Sequence, residues 1–279
     1  MIRITSAASL ALLIVAGASP ALAQSAWDWS GAYGGVFGGY LENDDDDNES
    51  LVFDRDFDGD FDDPVVLSGS GLNAFSPGSC NGAPTTTAPV NCSGDDGGVE
   101  GGLRLGWDWQ FGNWVVGAVG EVSAVDAEDT VTSFSTTPAS YAFTRHLEHT
   151  AAIRARVGYA MGPALAYVTG GPAYGKIDNS FFTSNAANSF VEQVDEDDAD
   201  GYQAGAGLEW RLAPNLSVVG EYMYTSLETG DYVVRAGNNG TTPATNPFIL
   251  APNTVGTDLA RGSDEFNVHA VRIGMNVRF

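Results

Sequence analysis

The stretch VEGGLRLGWDWQF, Val99 to Phe111, decides how the chain is read. Its odd positions are Val99, Gly101, Leu103, Leu105, Trp107, Trp109 and Phe111, and its even ones are Glu100, Gly102, Arg104, Gly106, Asp108 and Gln110. Successive side chains of an extended chain point to opposite faces, so this alternation marks a strand with one apolar and one polar side. The pattern recurs downstream. Leu147, His149, Ala151, Ile153, Ala155, Val157, Tyr159 and Met161 alternate with Glu148, Thr150, Ala152, Arg154, Arg156 and Gly158, and Ala204 to Leu212 alternates with Gln203, Gly205, Gly207, Glu209 and Arg211.

Weaker alternation covers Trp114 to Ala124 and Leu216 to Thr225, and Ala164 to Ile177 is strand-like. With Trp29 to Leu41 and Phe266 to Phe279 at the two ends, the expectation is eight strands, each near the roughly ten residues that a tilted membrane strand needs. Tight turns at Gly112-Asn113, Gly162-Pro163 and Ala213-Pro214-Asn215 alternate with long links at about 42 to 97, 126 to 146, 178 to 200 and 228 to 264. Four such links are foreign to a compact soluble domain. The fold expected is therefore all-β, an eight-stranded antiparallel up-and-down transmembrane β-barrel with long external loops. The tryptophans Trp27, Trp29, Trp107, Trp109, Trp114 and Trp210 all fall beside the chain start or the short turns, as an interfacial girdle on one rim would require. A soluble β-sandwich, the alternative, would place tryptophans mid-strand.

The charged face then lines the lumen, with Glu100, Arg104, Glu121, Glu148, Arg154, Arg156, Glu209, Arg211, Glu221, Arg272 and Arg278 on it. If Gly112-Asn113 is a two-residue turn, Phe111 pairs with Trp114 and Arg104 lies across from Glu121, which predicts an internal ion pair. Residues 42 to 96 hold fourteen Asp/Glu against one cation, Arg55, so the net charge of −24 is carried largely by the links. That deficit of Lys and Arg argues against a nucleic-acid partner.

Residues 1 to 23 read as a secretory signal peptide: Arg3, the apolar run Leu10 to Ala16, then Pro20 and Ala21-Leu22-Ala23, leaving residues 24 to 279 as the barrel domain. Cys80 and Cys92, in a Gly/Pro/Ser/Thr-rich stretch of an exported chain, favour a disulfide over a two-thiol metal site, because no histidine is near.

WSGAYGGVFGGY (Trp29 to Tyr40), YVTGGPAYG (Tyr167 to Gly175) and the ending HAVRIGMNVRF (His269 to Phe279) resemble the small OmpA-like, porin-family outer-membrane β-barrels of Gram-negative bacteria. The resemblance covers the strands and not the links. It implies an outer-membrane location among lipid and lipopolysaccharide, and an assembly signal at Phe279 read by the barrel assembly machinery. It also implies a structural or surface role in the envelope, with a narrow porin-like channel as the alternative. Eight strands leave little more room than their own side chains fill.

An enzyme is not expected. A strand would point His146 and His149 to opposite faces, unlike the i, i+4 pair of helical zinc sites, and the remaining histidine, His269, stands alone. No G-x-S-x-G elbow is present. The tyrosines Tyr159, Tyr167, Tyr202, Tyr222 and Tyr224 read as interface or wall residues.

DRDFDGDFDD, from Asp54 to Asp63, offers the single metal candidate. Asp54, Asp56, Asp58 and Asp62 fit a D-x-D-x-D-G-x-x-D loop in which hard oxygens converge on calcium about the Gly59 turn. The bidentate Glu of an EF-hand is replaced by Val65, and acidic runs such as Asp44 to Asp47 and Asp195 to Asp198 show that composition alone yields similar patterns. No other cofactor is expected, and an external partner for the loops is not readable.

Overall fold

The computed structural model describes residues 27–44, 49–87, 89–95 and 97–279, so residues 1–23, read above as a signal peptide, lie outside the described residues. In chain order the strands are β1 (Gly31–Asn43), β2 (Leu51–Asp54), β3 (Gly78–Asn81), β4 (Gly98–Phe111), β5 (Trp114–Ser135), β6 (Ala139–Met161), β7 (Ala164–Thr183), β8 (Asn188–Asp195), β9 (Asp198–Ala213), β10 (Leu216–Thr229), β11 (Tyr232–Asn238), β12 (Gly256–Arg261) and β13 (Glu265–Arg278). Eight of them close a ring in the order β1, β4, β5, β6, β7, β9, β10, β13. Every neighbouring pair is antiparallel, and β1 meets β13 from Tyr33↔Arg278 to Asn43↔Val268, which removes any free edge. Phe111 pairs with Trp114, and Arg104 with Glu121.

Alternation explains the two faces of this wall. Leu105, Val122, Ile153, Val168, Leu208, Val271 and Ile273 are exposed and face outward, as a lipid-facing band demands. Trp107, Trp109, Trp114, Tyr159 and Trp210 are exposed beside the short turns. Gly112 and Gly162 carry those turns with φ of 63° and 65°, which L side chains rarely adopt.

The long links are not open loops. β5, β6 and β7 run on for 22, 23 and 20 residues, about twice a membrane span, so the link expected at 126 to 146 is a continued hairpin that turns only at 136–138. A second sheet, ordered β2, β12, β11, β8, folds from the other links and faces these extensions. Between the two layers lies a core of Leu51, Phe53, Val65, Phe75, Val131, Tyr141, Phe143, Val234, Phe248 and Leu259. The result is a small β-sandwich capping one end of the barrel.

One irregularity divides barrel from cap. At Glu148 the register of β6 shifts against both β5 and β7. Below it Thr150, Ala152, Arg154 and Arg156 point inward; above it Leu147, Arg145, Phe143 and Tyr141 do. A β-bulge of one residue reverses which parity faces the core.

Candidate functional site: the sealed lumen and its cap

The lumen is filled in layers. At the short-turn end Trp29 is fully buried, with the guanidinium groups of Arg211 and Arg278 at 4.5 and 5.5 Å from its ring centroid. Its Nε1 donates to Gly162 O, Arg211 donates to Asp28 O, and Arg278 donates to Trp29 O. Asp28 and Trp29 are thereby drawn into the barrel mouth.

Above it Arg104, Arg154, Arg156, Arg272 and Arg278 interlock with Glu100, Asp108, Glu121, Glu209 and Glu221, one cation for each anion. Arg104 Nε lies 3.1 Å from Glu121 Oε1, and its Nη2 lies 3.0 Å from Glu221 Oε2. Arg154 reaches the same Glu121 oxygen at 2.7 Å. Arg272 Nη2 donates to Glu100 Oε2 at 2.8 Å. Rings separate these charges. Arg156 sits 4.9 Å from the Tyr33 centroid and 4.7 Å from that of Tyr167, whose hydroxyl donates to Glu221 Oε1. The rings find room because glycine stands opposite them: a Cβ at Gly106 would come within 2.3 Å of the Tyr33 ring, and one at Gly207 within 2.6 Å of Tyr167. Buried charges are tolerable only when each is paired and hydrogen-bonded, and this layer meets that condition.

Next comes an apolar plug. Leu41, Leu147, Ile177, Met223, Leu227 and Phe266 point into the lumen and are at most 2% exposed. Each such side chain contributes about 1.5–3 kcal/mol by leaving water. A third, polar layer joins plug to cap: Arg261 donates to Glu49 Oε1 and Oε2 at 2.7 and 2.6 Å and to Asp129 Oδ2 at 2.9 Å, and Arg145 reaches Asp129 at 2.6 Å. Burial pushes the Asp129 carboxyl up, but Arg261 and Arg145 together outweigh it and hold the group below the ordinary carboxylate value.

On the cap, the aspartate loop is tightly tied. Asp54 is buried and accepts from Phe57 N at 2.6 Å and Gly59 N at 3.0 Å; Asp56 and Asp58 accept from the backbone two residues on. Phe57 takes φ of 65°, and the Arg235 guanidinium covers its ring at 3.9 Å. One oxygen each from Asp54, Asp56 and Asp58 lies within 4.8 Å of the others. Lost hydration within the turn, and after it the Asp58 carboxylate, raise the pKa of Asp56. Asp62 does not join them. Asp63 N donates to Phe53 O and its carboxylate accepts from Arg55 N, so the chain returns along β2 and leaves Asp62 exposed.

The family profile of the outer membrane protein β-barrel domain matches residues 8–279. The chain belongs to that family. It is 29% identical over 185 residues to the 31 kDa outer-membrane immunogenic protein of Brucella melitensis biotype 1, covering 66% of this chain and 67% of that one. To the 22 kDa outer membrane protein of Rhizobium leguminosarum bv. viciae it is 28% identical over 182 residues, covering 65% and 67%. OprG of Pseudomonas aeruginosa aligns over 92% of this chain and all of its own at 14% identity, with a TM-score of 0.45.

In this outer-membrane barrel several residues depart from their expected places. Glu148 is the bulge residue, half-exposed and not in the lumen, because the alternation breaks at that residue. The same bulge brings His146 and His149 to the outer side together, where His146 Nε2 meets Asp126 at 3.0 Å. Trp29 belongs to the lumen and not to the girdle, and Tyr167 is likewise internal. Asp108, fully buried, is a lumen anion that the charged-face reading passed over, although its even position on the face of Glu100 and Arg104 marks it. Cys80 and Cys92 are joined as a disulfide, with Cys80 paired to Thr132 and Gly82 N donating to Thr130 O on β5.

Proposed function

We propose that the protein is a sealed outer-membrane barrel that supports the envelope and displays an acidic β-sandwich cap as its working surface. The observation that carries this reading is the continuous filling of the lumen: the apolar plug of Leu147, Met223 and Leu227 stacks on the ion-paired layer around Arg156 and Asp108. An ion crossing would have to shed its water beside the plug and break buried pairs below it, each a cost of several kcal/mol. On this reading the band contacts outer-membrane lipid and lipopolysaccharide, and Phe279, 63% exposed at the end of β13, is offered to the barrel assembly machinery. No catalytic role is assigned to His146, His149 or His269. The test is single-channel recording in planar bilayers; the sealed barrel gives a silent baseline, and reproducible openings would favour the narrow channel instead.

A second reading concerns the aspartate loop, favoured by the convergence of one oxygen each from Asp54, Asp56 and Asp58. A calcium ion accepted there would offset the mutual repulsion of these converging carboxylates. Calorimetry on the refolded protein is expected to show calcium heat that the Asp56→Asn/Asp58→Asn double variant lacks. Heats near zero in both proteins would remove the calcium reading.

A further inference from the structure

The cap carries a recess of about 230 Å³ at its apex, between the β5–β6 turn, the 184–187 link and the turn of 3-10 helix at Pro247–Ile249. Its floor is aromatic. Phe75, Tyr141 and Phe248, 9, 2 and 4% exposed, pack with centroids 5.1, 6.0 and 5.7 Å apart and close its base as tilted and edge-on rings. Its rim is polar and neutral, formed by Ser184, Asn185 and Asn246. The amides are fixed in advance: Asn185 Nδ2 donates to Tyr141 Oη at 2.9 Å and to Asn188 Oδ1 at 3.0 Å, while Asn246 Nδ2 donates to Asn188 Oδ1 at 2.9 Å. Ser184 Oγ accepts from Ser140 N at 2.9 Å and from Ser140 Oγ at 3.3 Å, which leaves its own proton free to donate.

No lining residue is charged, in a chain of net charge −24. An ionic ligand entering this recess would lose hydration with no counter-charge to meet it. The volume is below the roughly 300–1,000 Å³ of pockets for drug-sized ligands and suits a single substituted ring. We infer that the apical recess binds an uncharged ring with hydroxyl or amide substituents, the chemistry of a neutral sugar residue, with its apolar face on the Phe75, Tyr141 and Phe248 floor. This rests on the reading of the cap as the working surface. It names the class of ligand that surface takes.

Saturation-transfer NMR on the folded full chain in detergent micelles tests it, with the methyl glycosides of glucose, galactose and N-acetylglucosamine as neutral probes and glucuronic acid as the charged one. Transfer to at least one neutral glycoside is expected, with none to glucuronate. Ala186→Trp, at an exposed rim position, is expected to fill the mouth and cut the transfer at least tenfold. Ser184→Ala leaves the recess open and is expected to weaken transfer several-fold without abolishing it. Heat-modifiable gel migration confirms that each variant is folded. No transfer to any neutral glycoside at millimolar concentration, equal transfer to glucuronate, or transfer unchanged by Ala186→Trp would overturn the inference. Channel openings in bilayers would defeat the sealed-barrel reading and leave the recess untouched, so the two failures are distinguishable.

Discussion

Arg156 Nη2 lies 2.6 Å from Asp108 Oδ2, with both side chains at most 2% exposed, and Arg278 reaches the same oxygen at 2.8 Å. One carboxylate thus holds two arginines from β6 and β13 against β4. Asp108→Ala would leave both guanidinium groups short of a partner at a buried position in the lumen. Breaking a buried pair by removing one member costs about 3–5 kcal/mol. The expected outcome is a clear fall in the temperature at which the folded band converts to the unfolded band on gels, whereas Asp126→Ala, at an exposed outer position, leaves it in place.

The polar layer under the cap makes a pH prediction. Asp129 is held below its ordinary value of about 3.9, so it releases its proton more readily folded than unfolded. Such a group stabilises the fold above the unfolded value and ceases to do so as pH falls through the folded one. Protection of the amides near Glu49 and Ser263, relative to their intrinsic exchange rate at each pH, is therefore expected to be high at neutral pH and to fall below about pH 4. Asp129→Asn removes the charge at every pH, so protection at these amides is expected to be low already at pH 7.

Space inside the barrel gives a third prediction. A side chain at Gly106 would meet the Tyr33 ring at 2.3 Å, and Tyr33 in turn packs under Arg156 and Arg278. Gly106→Val is expected to displace the ring and prevent the compact, heat-modifiable form. Gly112→Asn, at a turn glycine with nothing within 4 Å of an added Cβ and a φ of 63° that asparagine tolerates, is expected to fold normally.

The disulfide acts locally. Cys80–Cys92 closes a sequence separation of 12 at the outer side of β5, so its loss removes about 3 kcal/mol of loop-closure stabilisation at most. A Cys80→Ser/Cys92→Ser double variant is expected to expose residues 81–92 to protease while the barrel keeps its gel transition.

Much of the barrel was legible because period-two alternation is a backbone property: Arg104 and Glu121 fall together by counting outward from a two-residue turn. The failures have one physical character. A bulge at Glu148 leaves no compositional mark, yet it shifts parity for everything above it on β6. The level of Trp29 along the barrel was readable, but not whether its ring pointed to lipid or lumen. The cap was illegible because its core residues stand almost singly in polar sequence and find partners far away, as Phe53 finds Leu259 across β2 and β12. The aspartate motif was visible, but the backbone pairing that turns Asp62 aside was not.

The bulge on β6 makes one strand obey two opposite reading frames. Membrane half and cap half are each internally consistent, and a single residue, Glu148, keeps them in phase. Taking Glu148 into a regular ladder would swing Tyr141 and Phe143 out of the sandwich, whereas deleting it would leave one unbroken alternation with both still facing inward. Sequence change within either half is therefore a matter of packing, while a residue gained or lost away from the bulge rewrites which side of the strand is inside.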